Sequence, residues 1–208
     1  MGLIQLLWDW LTGVNDAPGY EIDWDQLAIL AEGHGMAALA AERLRGAGSG
    51  PWEPVLQRWA AAYYRNLGVN QLVKRQVEQL GGEFQQAGLA WLPVKGAALA
   101  WSHYQDPGLR PMNDIDLLVR PGDVLRAVRI ARSAGYDLEK LSYHALLNGG
   151  EGCRPIEIHW CLPGGDPFPE DFLEAGSAEE MAARQYLYCL AHLLRQHGQA
   201  PRLIWHYD

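Results

Sequence analysis

Cysteine is scarce in this chain: there are three in 208 residues, Cys153, Cys161 and Cys189, with no close C-x-x-C spacing. An odd, scattered set argues against a disulfide framework or a zinc site and reads as reduced, buried thiols in a cytoplasmic protein. Basic residues are also in deficit, with 17 Lys and Arg against 25 Asp and Glu and a net charge of −8. A general nucleic-acid binder carries a basic stripe, so the balance argues against that class. It leaves a nucleotide substrate open, because a bound metal ion reverses the local field. No apolar run approaches the length of a membrane-spanning helix. The start, Met1 to Trp10, is apolar but holds Asp9 and lacks a basic flank, so it does not read as a signal peptide. There are no internal repeats, and the Gly/Pro loops are too short for disordered linkers.

What is present is ordinary globular material, 49% hydrophobic and 20% charged, in a chain long enough to bury a core. Nine tryptophans are unusual and point to packing. From Asp23 to Arg45 the apolar spacing is helical, with Asp23 as the first cap and an interruption at Gly33-His34-Gly35. A longer helix is predicted from about Val55 to Gln86, with a break or kink at Gly81-Gly82. Its aromatic start, Trp52 to Tyr64, lacks interleaved basic residues and reads as core rather than a base-stacking platform. After Gly88 the texture changes. Leu89 to Val94 reads as a strand, although Pro93 sits uneasily inside one. Lys95-Gly96 turns into a short helix, Ala97 to Trp101, and Asp106-Pro107-Gly108 is a turn. Ile115 to Val119 is a buried strand, followed by a helix opened by Pro121 and ended by Gly135. Tyr136 to Leu141, Tyr143 to Leu147 and Arg154 to Trp160 are further strands, with a hairpin-type turn at Asn148-Gly149-Gly150. A helix from Ala178 to about Gln196 follows. The last residues, Arg202 to Asp208, form an amphipathic segment that suggests a truncated end. The expected organisation is a helical segment at 1–87, a core at 88–163 and a C-terminal helical segment at 164–208.

Three features of the core carry chemistry. Asp114 and Asp116 lie two apart at the start of a strand, so their carboxylates converge on one face. Two acids that close repel, and a divalent cation between them resolves the repulsion. Glu157 lies mid-strand between two isoleucines, where a carboxylate needs a partner; Arg154 or Arg110 would serve if the role were only structural. Lys95-Gly96 stands at a strand-to-helix turn, where backbone amides and a lysine favour phosphate. Together they describe a phosphoryl- or nucleotidyl-transfer site, which asks for about three carboxylates facing one point.

These residues resemble a known family. Lys95-Gly96-Ala97-Ala98-Leu99, the run from Tyr104 through Asp106-Pro107-Gly108-Leu109-Arg110-Pro111, Asp114-Ile115-Asp116-Leu117-Leu118-Val119, Gly135-Tyr136 and Glu157-Ile158-His159-Trp160 look like the uncharacterised nucleotidyltransferase family of the polymerase-β-like superfamily. The resemblance implies an α+β fold: a short mixed sheet with flanking helices, a helical N-terminal segment and C-terminal helices. It implies that Asp114, Asp116 and Glu157 bind two Mg²⁺ ions, with Mn²⁺ the alternative, and that Glu157 lies near the acceptor hydroxyl. Lys95 and Gly96 would hold the triphosphate, but Ala97 follows, so a phosphate-binding hydroxyl is missing from this turn. Arg110 is assigned to phosphate, with pairing to Asp114 as the other reading. The implied reaction transfers NMP from an NTP, ATP first among them, to an acceptor hydroxyl of a small molecule or peptide. The competing readings are an inactive nucleotide-binding or scaffold protein and an antitoxin-like enzyme acting on a protein side chain.

Other candidates carry less. His192, His197 and His206 are poorly spaced for a metal site. His159 shares Glu157's strand face and either orients it, contacts substrate or bonds within the core. Ser142-Tyr143-His144 and Cys153 have no partner spaced for nucleophilic catalysis.

Overall fold

The computed structural model describes residues 2–16, 21–196, 204, 207 and 208. His197, His206 and most of the amphipathic segment at 202–208 therefore lie outside the described residues. Within them the chain is mixed α+β, with seven helices and one five-stranded sheet.

The N-terminal helices are α1 (Leu3–Leu11), α2 (Trp24–Gly33), α3 (Ala37–Arg43) and α4 (Glu53–Gln86). Asp23 caps α2 by accepting a hydrogen bond from the Gln26 amide. The tryptophans do pack: Trp10, Trp24, Trp52 and Trp59 form one cluster with ring centroids 5.7–6.3 Å apart. Leu7, Leu11, Leu27 and Met36 complete this first core.

Helix α4 corrects one expectation. It runs unbroken for 34 residues through Gly81-Gly82. Gly81 makes room rather than a kink, since a Cβ there would lie 2.1 Å from the Trp91 ring. Strand β1 (Trp91–Val94) thereby packs on the C-terminal part of the helix.

The sheet order is β1-β2-β5-β4-β3, with β2 at Ile115–Val119, β3 at Asp137–Leu141, β4 at His144–Asn148 and β5 at Ile156–His159. Because β1 is an edge strand, Pro93 costs no ladder hydrogen bond on its open side. The central pair β2–β5 is parallel and its other neighbours are antiparallel. Helix α6 (Val124–Ser133) makes the crossover after β2 and ends at Gly135, whose φ of 93° is the expected left-handed stop. A further departure is the β4–β5 connection, which is a loop over 149–155 rather than a tight turn. Gln76 of α4 grips it, accepting from the Arg154 amide (3.0 Å) and donating to the Arg154 carbonyl (3.1 Å).

Period-two alternation sorts the sheet into two faces. Ile115, Leu117, Val119, Ala145, Leu147, Ile156 and Ile158 form one core with α4 and α6. The opposite face carries Asp116, Leu118, His144, Glu157 and His159, and Tyr188 of α7 (Ala178–Gln196) packs over it. Among the described residues no helix is long and apolar enough to cross a membrane. The three cysteines are unpaired, but none is buried as expected: Cys153 is exposed, and Cys161 and Cys189 are half-buried.

Candidate active site

Strand register brings the acids together. In the parallel pair, Asp116 lies directly opposite Glu157, and Leu118 opposite His159. On the other side of β5, His144 lies opposite His159. One sheet face therefore presents Asp116, Glu157, His159 and His144 side by side, with Asp114 just before β2. All five border a cavity of about 340 Å³, which Lys95, Gly96 and Arg110 also line.

Buried Asp116 is the hub. Its Oδ1 accepts from Lys95 Nζ at 2.6 Å and faces His159 Nε2 at 2.8 Å. Burial alone would raise its pKa, but Lys95 and His159 hold the carboxyl well below the usual range. The same contacts, with His159 Nε2 3.3 Å from Glu157 Oε2, raise the imidazole's pKa against the opposing effect of burial. Glu157 is lowered, chiefly by its hydrogen bond to His159. Glu157 thus finds its partners in His159 and, at 3.7 Å, His144, not in Arg154 or Arg110.

Asp114 behaves differently. Burial and the adjacent Asp116 push its pKa up to about 6, with Lys95 only partly offsetting them. It makes no hydrogen bond or ion pair with any described residue. A half-buried carboxylate without a cation beside two ionised ones is a donor set that fits a divalent metal.

Lys95 reaches Asp116 from a strained backbone, φ 51° and ψ −131°, the one non-glycine residue with positive φ among those described. Such conformations persist where surrounding structure over-determines them, commonly at functional sites. Gly96 begins α5 (Gly96–Ser102). A Cβ there would meet Arg110 Nη1 at 2.4 Å and Met112 Cγ at 2.9 Å, so the glycine lets the Arg110 loop close on the helix start.

Arg110 does not pair with Asp114. Its guanidinium is buried and forked onto Asp208, Nε to Oδ1 at 3.0 Å and Nη2 to Oδ2 at 2.5 Å, and Tyr104 donates to the same carboxylate. The loop that carries it is stitched to α4. Asn70 donates to the Pro107 and Arg110 carbonyls, Asn66 to that of Gly108, and Tyr63 to Asp106. The long helix is therefore the template that aims Arg110 and, just beyond it, Asp114.

Two participants were missed from sequence, His144 after being weighed and set aside. His144 had no partner at readable spacing, because its partners lie across the β4–β5 register. Asp208 meets Arg110 across 98 positions, which no local pattern reveals.

A mixed sheet whose central parallel strands present facing carboxylates beside a strand-to-helix lysine turn is an arrangement that suits phosphoryl or nucleotidyl transfer. The family comparison agrees: the chain belongs to the uncharacterised nucleotidyltransferase family, whose model matches residues 20–208. Its role is therefore that of a nucleotidyltransferase in general terms, acting on a nucleotide. Comparison with curated proteins and with solved structures finds no match.

Proposed function

We propose that the protein is a metal-dependent nucleotidyltransferase of the cytoplasm. It moves an NMP group from an NTP, ATP first among them, to an acceptor hydroxyl of a small molecule or peptide and releases pyrophosphate. The observation that carries this reading is the direct register of Asp116 with Glu157, with unpaired Asp114 at the same cavity.

Asp114, Asp116 and Glu157 would hold the magnesium ions, with manganese the alternative. When bound, these neutralise charge on the phosphate oxygens. The protein's own groups do the rest. Lys95 and the Gly96 turn receive the triphosphate at the cavity wall. Arg110 backs that wall, its direction fixed by Asp208. Glu157, ionised at neutral pH, takes the acceptor's proton. The acceptor oxygen then bonds to the α-phosphorus as the α–β bridging bond breaks. Tyr188 and the α7 helix keep the His159 side of the site dry, which strengthens each charge interaction there.

The test is incubation with each of the four NTPs, with and without Mg²⁺ and with cell extract as acceptor source. Pyrophosphate release that needs metal and disappears in Asp114→Ala and Asp116→Ala is the expected outcome. Metal-dependent nucleotide binding without pyrophosphate release would replace transfer with the scaffold reading, which the missing hydroxyl at Ala97 favours. A labelled protein band would identify a side-chain acceptor.

A further inference from the structure

His144 is buried, and neither of its ring nitrogens makes a hydrogen bond: Nδ1 has no partner, and Nε2 stops 3.7 Å from Glu157 Oε1. An imidazole buried in that state is costly; a metal ion relieves it at Nε2, the nitrogen near Glu157, and water serves Nδ1 on the other side of the ring. The residue lines the cavity. There it meets Glu157 and His159, and the three offer ligand atoms that all lie within 4.8 Å of one another.

From this cluster we infer that His144, Glu157 and His159 form a binding site for a divalent transition metal, zinc in particular, chemically distinct from a magnesium position. Zinc bound at ~2.0–2.1 Å by three protein atoms has ligand–ligand edges of about 3.4 Å. Two contacts are near that length, to the two different oxygens of Glu157: His159 Nε2 to Oε2 is 3.3 Å, and His144 Nε2 to Oε1 is 3.7 Å, so a turn of the carboxylate brings one oxygen between the two imidazoles. The sheet sets them there, since Glu157 and His159 share a face of β5 and His144 is the register partner of His159. Two imidazoles and one carboxylate are a donor set for zinc-like cations, whereas magnesium takes oxygen ligands. The fourth position opens on the cavity, as in zinc sites that bind water or substrate. Binding displaces the proton from His159 Nε2, which leaves to solvent. Asp116, which His159 then releases, keeps its ion pair with Lys95. The metal would sit beside the proposed transfer site and share Glu157 with it.

The test uses the full chain, stripped with a chelator and titrated with Co²⁺, Zn²⁺ or Mg²⁺ without nucleotide. One Co²⁺ per chain with a visible d–d band, displaced by Zn²⁺ and not by millimolar Mg²⁺, is expected. X-ray absorption of the zinc-loaded wild type should show two imidazole ligands, a readout that needs no variant. His144→Ala should weaken Co²⁺ binding at least tenfold with the helical circular dichroism retained, while His103→Ala, outside this cavity, should leave it unchanged. Absent binding, oxygen-only ligation, equal competition by Mg²⁺ or undiminished binding in His144→Ala would each overturn the inference. Because no nucleotide is present, these outcomes stand apart from success or failure of the transfer assay.

Discussion

Asp116 Oδ1 is held between Lys95 Nζ at 2.6 Å and His159 Nε2 at 2.8 Å, on a strand that is buried from end to end. Removing a buried partner leaves the others uncompensated, at a cost of ~3–5 kcal/mol. Asp116→Ala is therefore expected to lower stability in urea unfolding by about 3 kcal/mol as well as to abolish transfer. A variant as stable as wild type would show that the Lys95 and His159 contacts contribute little to folding.

The pH profile of the metal-free protein should have a maximum on the acid side of neutrality. Asp114, raised to about 6 in the fold from an ordinary value near 4, contributes stability while protonated and loses it as pH rises through about 6. His159, also raised, holds its contribution below ~6.5 and loses it as pH rises through its higher folded value. Asp116 and Glu157 are lowered, so their contribution is present above ~4 and lost as pH falls below that. Melting temperatures between pH 3.5 and 8 should peak at roughly pH 4.5–6. Asp114→Asn should raise the Tm at pH 7.5 and give no gain at pH 3.5; the reverse pattern would contradict the assignment.

Neighbouring glycines of α4 should respond in opposite directions. A methyl at Gly82 meets nothing within 4 Å, so Gly82→Ala should stabilise by up to ~1 kcal/mol through helix propensity. At Gly81 the methyl meets Trp91, so Gly81→Ala should destabilise by ~1–3 kcal/mol. Parallel thermal melts of the two variants check this, and equal shifts would refute the packing role of Gly81.

Asn70 acts on the site from a distance. It is fully buried and bonds the carbonyls of Pro107 and Arg110. Asn70→Ala leaves the Arg110 carbonyl unpaired and the Pro107 carbonyl with only its 3.3 Å bond from the Arg110 amide, which should cost about 2 kcal/mol. Because the loop orients Arg110 and leads into Asp114, nucleotide KM should rise more than kcat falls. An unchanged KM would mean that the loop holds its position without α4.

Much of this was legible in residue order because it depends on local spacing. The period-two run from Ile115 places Asp114 and Asp116 together, a capping aspartate starts α2, and Gly135 stops α6. Glu157 stood out as a carboxylate flanked by isoleucines. The long helix was legible too, but the role of Gly81 was not. A glycine that kinks a helix and one that admits an indole from another element look alike in sequence.

By itself the sequence determined which residues are acidic, which face each strand buries and where the chain turns, since these follow from side-chain chemistry and backbone period. Tertiary structure alone decided that β2 and β5 run parallel with Asp116 opposite Glu157, that His144 joins them, and that Arg110 answers to Asp208. Register and long-range pairing are settled by closing the whole sheet and core at once, and no window of neighbouring residues contains that constraint.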